Sequence, residues 1–143
     1  MSEPQRKKMA IITTFWDWRS HANHMGERFL NGYPHDGKWH RPEIDVVSAY
    51  VDLRPESDLS GNKADLHGFT IYPTIAEALR RGSDKLAVDA VLLIGEHGEY
   101  GKNELGQLLY PRKEMFDQIV AVYRRVDRCL PIFCDKFLSW NFE

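Results

Sequence analysis

Apolar positions along the chain fall into two kinds of pattern, which alternate. Residues 9–14, 44–51, 69–72, 88–94 and 131–134 are short runs rich in β-branched and aliphatic side chains, the signature of buried strands. Between them the spacing changes to that of helices. Ala22, Met25, Phe29 and Tyr33 form a stripe over residues 21–33 behind Ser20, a good N-cap. A short helix runs to His67 and closes on Gly68, and Thr74 caps another that carries Ile75, Ala78 and Leu79 and ends at Gly82. A helix over 112–126 places Phe116, Ile119, Val120 and Tyr123 on one face. Residues 34–42, with two prolines, a glycine and two histidines, read as a loop, and so does the glycine- and charge-rich stretch 95–111.

The run 88–94 (Val-Asp-Ala-Val-Leu-Leu-Ile) settles the fold class. A strand that is almost wholly apolar has both faces covered, as in a parallel sheet between helices. Strands alternating with helices then predict an α/β fold: a Rossmann-like, doubly wound parallel sheet of about five strands with helices on both faces. The expected domain spans 9–136, preceded by a flexible segment 1–8 and followed by an apolar tail 137–143.

Composition narrows the partners. In 143 residues, 19 Lys and Arg nearly balance 21 Asp and Glu, so there is no basic field for nucleic acid. No apolar run approaches the ~18 residues of a membrane span, and the polar start lacks a secretory leader's cleavage site. Cys129 and Cys134 flank one short strand and read as reduced thiols, giving a cytoplasmic expectation. The partners that remain are a small polar ligand or a dinucleotide.

Three segments together carry a family resemblance. They are Ile71-Tyr72-Pro73-Thr74-Ile75-Ala76-Glu77-Ala78-Leu79, then Val88-Asp89-Ala90-Val91-Leu92-Leu93-Ile94, then Ile132-Phe133-Cys134-Asp135-Lys136. In order and spacing over most of residues 9–136, they resemble the N-terminal domain of the glucose–fructose oxidoreductase/inositol dehydrogenase (Gfo/Idh/MocA) family. The resemblance implies an NAD- or NADP-binding Rossmann domain, a sugar-like or polyol substrate, and a second domain that holds substrate and builds the oligomer. It also implies a role at the reacting centre for Lys136, in a motif whose proline is replaced here by Phe137. Since seven residues follow Lys136, the sequence reads as a truncated relative, inactive by itself, whose apolar tail (Phe137, Leu138, Trp140, Phe142) could dock or drive homo-oligomerisation.

In such sheets ligands bind beyond the carboxyl ends of the strands, which selects the site candidates. After the first strand a dinucleotide needs glycines, so that backbone can approach the pyrophosphate. This turn, residues 13–21, has none and offers Trp16, Arg19 and Ser20 instead. Asp52, ending the second strand, stands where a carboxylate would accept from a ribose hydroxyl, with Arg54 placed for a 2′-phosphate; the plain alternative is an aspartate opening a turn. Glu96 and His97, between Gly95 and Gly98, are candidates for proton transfer, or simply anchor a loop. His21 and His24 lie three apart on a helix, so that with His97 they make a weak metal alternative, to which His35 and His40 have no fixed relation. No metal is expected. Trp16, Trp18, Trp39 and Trp140 would form a stacking wall only if the fold gathered them, and Asn103, Tyr110 and Arg112 sit on a long loop suited to a lid or an oligomer contact.

Overall fold

A computed structural model describes residues 5–139. Five parallel strands form the main sheet: β1 (Lys7–Phe15), β4 (Ile44–Leu53), β5 (Thr70–Ile71), β6 (Ala90–Ile94) and β7 (Ile132–Cys134). Their spatial order is β5-β4-β1-β6-β7. Counting only these strands, the order is 3-2-1-4-5, the Rossmann-like arrangement with its switch point beside the first strand. The helices are α1 (His21–Leu30), α2 (Ser60–His67), α3 (Ile75–Arg80) and α4 (Arg112–Val126).

Strand alternation divides the core between the two faces of the sheet. Ala10 and Ile12 of β1, with Val91 and Leu93 of β6, point to the side where α3 and α4 contribute Ile75, Ala78, Leu79, Met115, Ile119 and Tyr123. Met9, Ile11, Leu92 and Ile94 point the other way, against Ala22 and Leu30 of α1, Trp16 and Phe69. This two-sided burial explains why β6 lacks the polar–apolar alternation of a half-exposed strand.

The caps form as the sequence suggests. Ser20 Oγ accepts from the Asn23 amide, and Thr74 Oγ1 accepts from the Glu77 amide while donating to the Glu77 carboxylate. Gly68 closes α2 at φ 75°.

Three boundaries differ from the expectation. β1 begins at Lys7, so Lys7 and Lys8 lie in the sheet, paired with Ile44 and Asp45, rather than in a flexible lead; residues 1–4 fall outside the described residues. Helix α1 stops at Leu30. The segment expected to be a loop then forms a hairpin of β2 (Tyr33–His35) and β3 (Lys38–His40). Its turn is Asp36-Gly37, both at positive φ, the geometry that right-twisted two-stranded ribbons require. Among the described residues no helix is long and apolar enough to cross a membrane.

Candidate functional site at the switch point

The ends of β1 and β6 are pinned together by two hydroxyls. Thr13 Oγ1 donates to the Ile94 carbonyl (3.0 Å), and Thr14 Oγ1 to the Glu96 carbonyl (2.7 Å). Beyond that point His97 (φ 70°) and Gly98 (φ 107°) are both left-handed and turn the chain sharply back. A Cβ at Gly98 would sit 2.7 Å from the Tyr100 ring and 2.8 Å from Leu53, so only glycine allows this close approach.

The turn lays the following loop across to β4. The Tyr100 hydroxyl donates to Asp52 Oδ2 (2.7 Å), while Tyr50, two residues earlier on the same strand face, donates to Asp52 Oδ1 (2.5 Å). Both carboxylate oxygens are therefore engaged. Burial, reinforced by the Asp52 charge, raises the ionisation of Tyr100 well above the ordinary tyrosine value and that of Tyr50 to about 12.

A cleft of about 780 Å³ opens beside this contact, lined by Phe15, Leu53, Arg54, Pro55, His97, Gly98 and Glu99. Its walls come from the carboxyl ends of β1, β4 and β6, the crevice that the strand order creates.

Behind His97 lies a compact polar cluster. The Asp135 amide donates to the Leu93 carbonyl (3.3 Å), which fixes Asp135 beside the end of β6. Its carboxylate accepts from Nδ1 of His21, the first residue of α1, at 2.8 Å. The His21 and His97 rings meet edge to face with centroids 4.9 Å apart. The Asp135 side chain is only 5% exposed, against 35% for His21. Asp135 Oδ1 and His97 Nε2 are buried without a hydrogen-bond partner among the described residues. Burial first, then the neighbouring His21, holds His97 below the ordinary histidine range, against the opposing pull of Glu96 and Asp135.

The remaining candidates separate. Trp16 is wholly buried and stacks on Phe69 at 5.9 Å, which makes it core rather than a cofactor platform. The Ser20 hydroxyl is used by the helix cap and by the Asp17 amide. Arg54 lines the cleft with His97 and pairs with Asp58 (2.9 Å) on its own turn. Arg19 and Lys136 are exposed, and Glu96 is half-buried. His24 is exposed and takes no part in the His21–Asp135 contact, while the His35 and His40 rings meet edge to face in the hairpin. Among the described residues no group of three His, Cys, Asp or Glu side chains could hold a metal ion.

No tryptophan wall forms among the described residues. Trp39 donates to the Asn31 carbonyl from the hairpin, Trp18 is exposed, and Trp140 lies outside them. Asn103 organises its own loop, with Oδ1 accepting from the amides of Leu105 and Gln107. Arg112 is buried. Its guanidinium lies over the Tyr110 and Phe137 rings (5.2 and 4.5 Å) and donates to the Phe137 carbonyl. The first residue of the apolar tail thus packs on its own domain; residues 140–143 lie outside the described residues.

An extended dinucleotide does not fit this residue set. Each oxygen of the carboxylate that would take the ribose already accepts from a tyrosine, and the pyrophosphate turn, residues 13–21, has no glycine.

Tyr100 lies in an irregular loop and carries no motif, and the contact between His21 and Asp135 joins two distant parts of the chain that no local spacing relates. Tyr50 had a legible signal, its two-residue offset from Asp52 on one strand face.

Fold and cleft together define a class: an α/β domain of Rossmann-like topology with its crevice at the switch point. Comparison with protein-family models, curated proteins and solved structures gives no match. Assignment of the site therefore rests on its geometry.

Proposed function

We propose that the chain is an oxidoreductase-like Rossmann domain of the Gfo/Idh/MocA type whose crevice takes a small polar ligand, sugar-like or polyol, and whose dinucleotide seat is closed by its own side chains. The observation that carries this reading is the cleft at the ends of β1, β4 and β6, walled by His97. Ligand sites in sheets of this order concentrate there.

Calorimetric titration tests it. Myo-inositol or glucose is expected to bind saturably, while NAD and NADP in either redox state give no heat of binding. Tight dinucleotide binding by the unaltered chain would overturn the closed-seat reading.

A second reading, an NAD- or NADP-dependent domain in which the loop swings away, is favoured by one observation. Tyr100 is tied to Asp52 through a single hydroxyl on an irregular segment. It predicts that Tyr100→Ala gains dinucleotide binding that the unaltered chain lacks.

A further inference from the structure

Outside the crevice, two surface features complement each other. The first is an apolar groove of about 380 Å³. Buried Met9 and Leu92 form its floor, Met25 and Phe29 come from α1, and Phe133 comes from the outer strand β7. Ile132 and Cys134 turn toward the α3 and α4 side, so Phe133 points to the opposite face, where it stays 60% exposed. The groove's one charged residue is Arg28, which is exposed and forms no ion pair among the described residues.

The second feature is a knob made by residues 101–109, which close on themselves ahead of α4. Lys102 bridges to Leu108, the Leu109 amide donates to the Gly101 carbonyl (3.2 Å), and Asn103 Oδ1 accepts from the amides of Leu105 and Gln107. Turn tips usually carry small or polar residues. This one carries Leu105, 83% exposed, with Leu108 on the stem 41% exposed. A turn tied in this way holds its leucine in place, so little order has to be gained on binding.

The two features cannot meet within one chain. Met9, Ala90 and Pro131 place the groove toward the amino ends of β1, β6 and β7, whereas the knob follows the carboxyl end of β6. None of residues 101–109 lines the groove of its own chain. Between two chains the fit is good. A leucine removed from a core leaves about 150 Å³, so the groove has room for Leu105 and Leu108 together. Glu104, beside Leu105 at the tip, is exposed, forms no ion pair among the described residues and is opposite in charge to Arg28.

We propose that the chain associates head to tail with copies of itself, the leucine knob of one seated in the apolar groove of the next, with Glu104 facing Arg28. Such a contact joins two different surfaces, so it grows a row of copies unless the rotation closes a ring. Its small area makes it a weak, reversible contact. It is independent of what the crevice binds.

Sedimentation of the full chain tests it. The mass should rise with concentration up to about 1 mM, the range of weak contacts. Leu105→Asp and Phe133→Lys should each weaken association by about tenfold or more, with the far-UV spectrum and melting temperature confirming the fold. Mixed together, these two variants should form a 1:1 pair and stop there, because one keeps only a working groove and the other only a working knob. Arg28→Glu and Glu104→Arg, both at exposed positions, should each weaken association about two- to fivefold, and the chain carrying both should recover it.

A chain that stays monomeric up to that concentration overturns the proposal. So does association that is unchanged in a folded Leu105→Asp or Phe133→Lys chain, or a mixture of the two that remains monomeric. Failure of the double charge reversal to recover association removes the Glu104–Arg28 contact, and with it the pairing of this knob with this groove.

Discussion

Replacing Gly95 by alanine sets two effects of opposite sign against each other. Gly95 follows β6 directly, and its φ is not positive, so alanine suits the backbone. On that account Gly95→Ala would stabilise the chain by about 0.4–1 kcal/mol through the unfolded state. The packing opposes it. A Cβ at Gly95 would overlap Arg112 Cγ and meet Arg112 Cδ at 3.0 Å and Cβ at 3.1 Å. These atoms are the root of the side chain, and Arg112 is 7% exposed, so it has little room to give way. Overpacking of this kind costs about 1–3 kcal/mol. Displacing the guanidinium from the Tyr110 and Phe137 rings adds about 0.5–2 kcal/mol. The steric term wins, with a net loss of about 0.5–4.6 kcal/mol, centred on ~2.5 kcal/mol, after the unfolded-state gain. For 143 residues, the unfolding entropy near the midpoint is about 0.3 kcal/mol/K, so the melting temperature should fall by about 2–15 °C, centred on ~8 °C. Urea unfolding should show a lower midpoint at unchanged slope. The decisive comparison is the double variant. With Arg112 already cut to alanine, adding Gly95→Ala should cost little, so the two changes are strongly non-additive. Additive effects, or a Gly95→Ala chain within about 0.5 kcal/mol of the parent, would refute the argument.

Three further outcomes are expected. In a spectrophotometric alkaline titration, Tyr50, Tyr100 and Tyr123 should ionise above the ordinary tyrosine value of 10.0, since burial raises all three. Their folded forms retain protons that the unfolded chain loses, so stability should fall as pH rises above 10 toward about 12; constant stability over that window would contradict the Asp52 cap. On the acid side, His97 is lowered from 6.5, so the unfolded chain takes up the proton first and stability declines as pH drops below that value; His97→Gln should flatten this limb of a urea-midpoint profile. Gly98→Ala forces a side chain into φ 107° and against Tyr100 and Leu53, and should raise proteolytic nicking of the loop that follows; an unchanged digestion pattern would count against the latch.

The architecture was legible because two periodicities carried it. Residues 88–94 announced a strand covered on both sides, and Ser20, Gly68 and Thr74 marked helix ends by local hydrogen-bonding chemistry that needs no tertiary context. Asp36-Gly37 was equally local and marks a hairpin turn, yet the neighbouring prolines and histidines made that segment look irregular. The site was less legible. Position after a strand pointed to His97, which lines the crevice, but it could not tell that Trp16 turns inward, or that Asp52 accepts from tyrosines on its own strand and on the loop after β6. Those outcomes depend on which side chains reach a point in space from distant parts of the chain.

The central place of β1 bears on how the molecule comes to be made. Thr13 pairs with Val51 on one edge and with Ile94 on the other. As the chain leaves the ribosome, the β1–β4–β5 half is complete once Ile71 has emerged, but the other edge of β1 stays open until β6 follows. During that interval Ile11 and Ile12 belong to an unprotected strand with free amides and carbonyls, a template for unwanted pairing. The strand that holds the finished sheet together is thus also its most exposed element during synthesis. Destabilising changes in β6 should therefore surface as poor yield before they surface as weakened function.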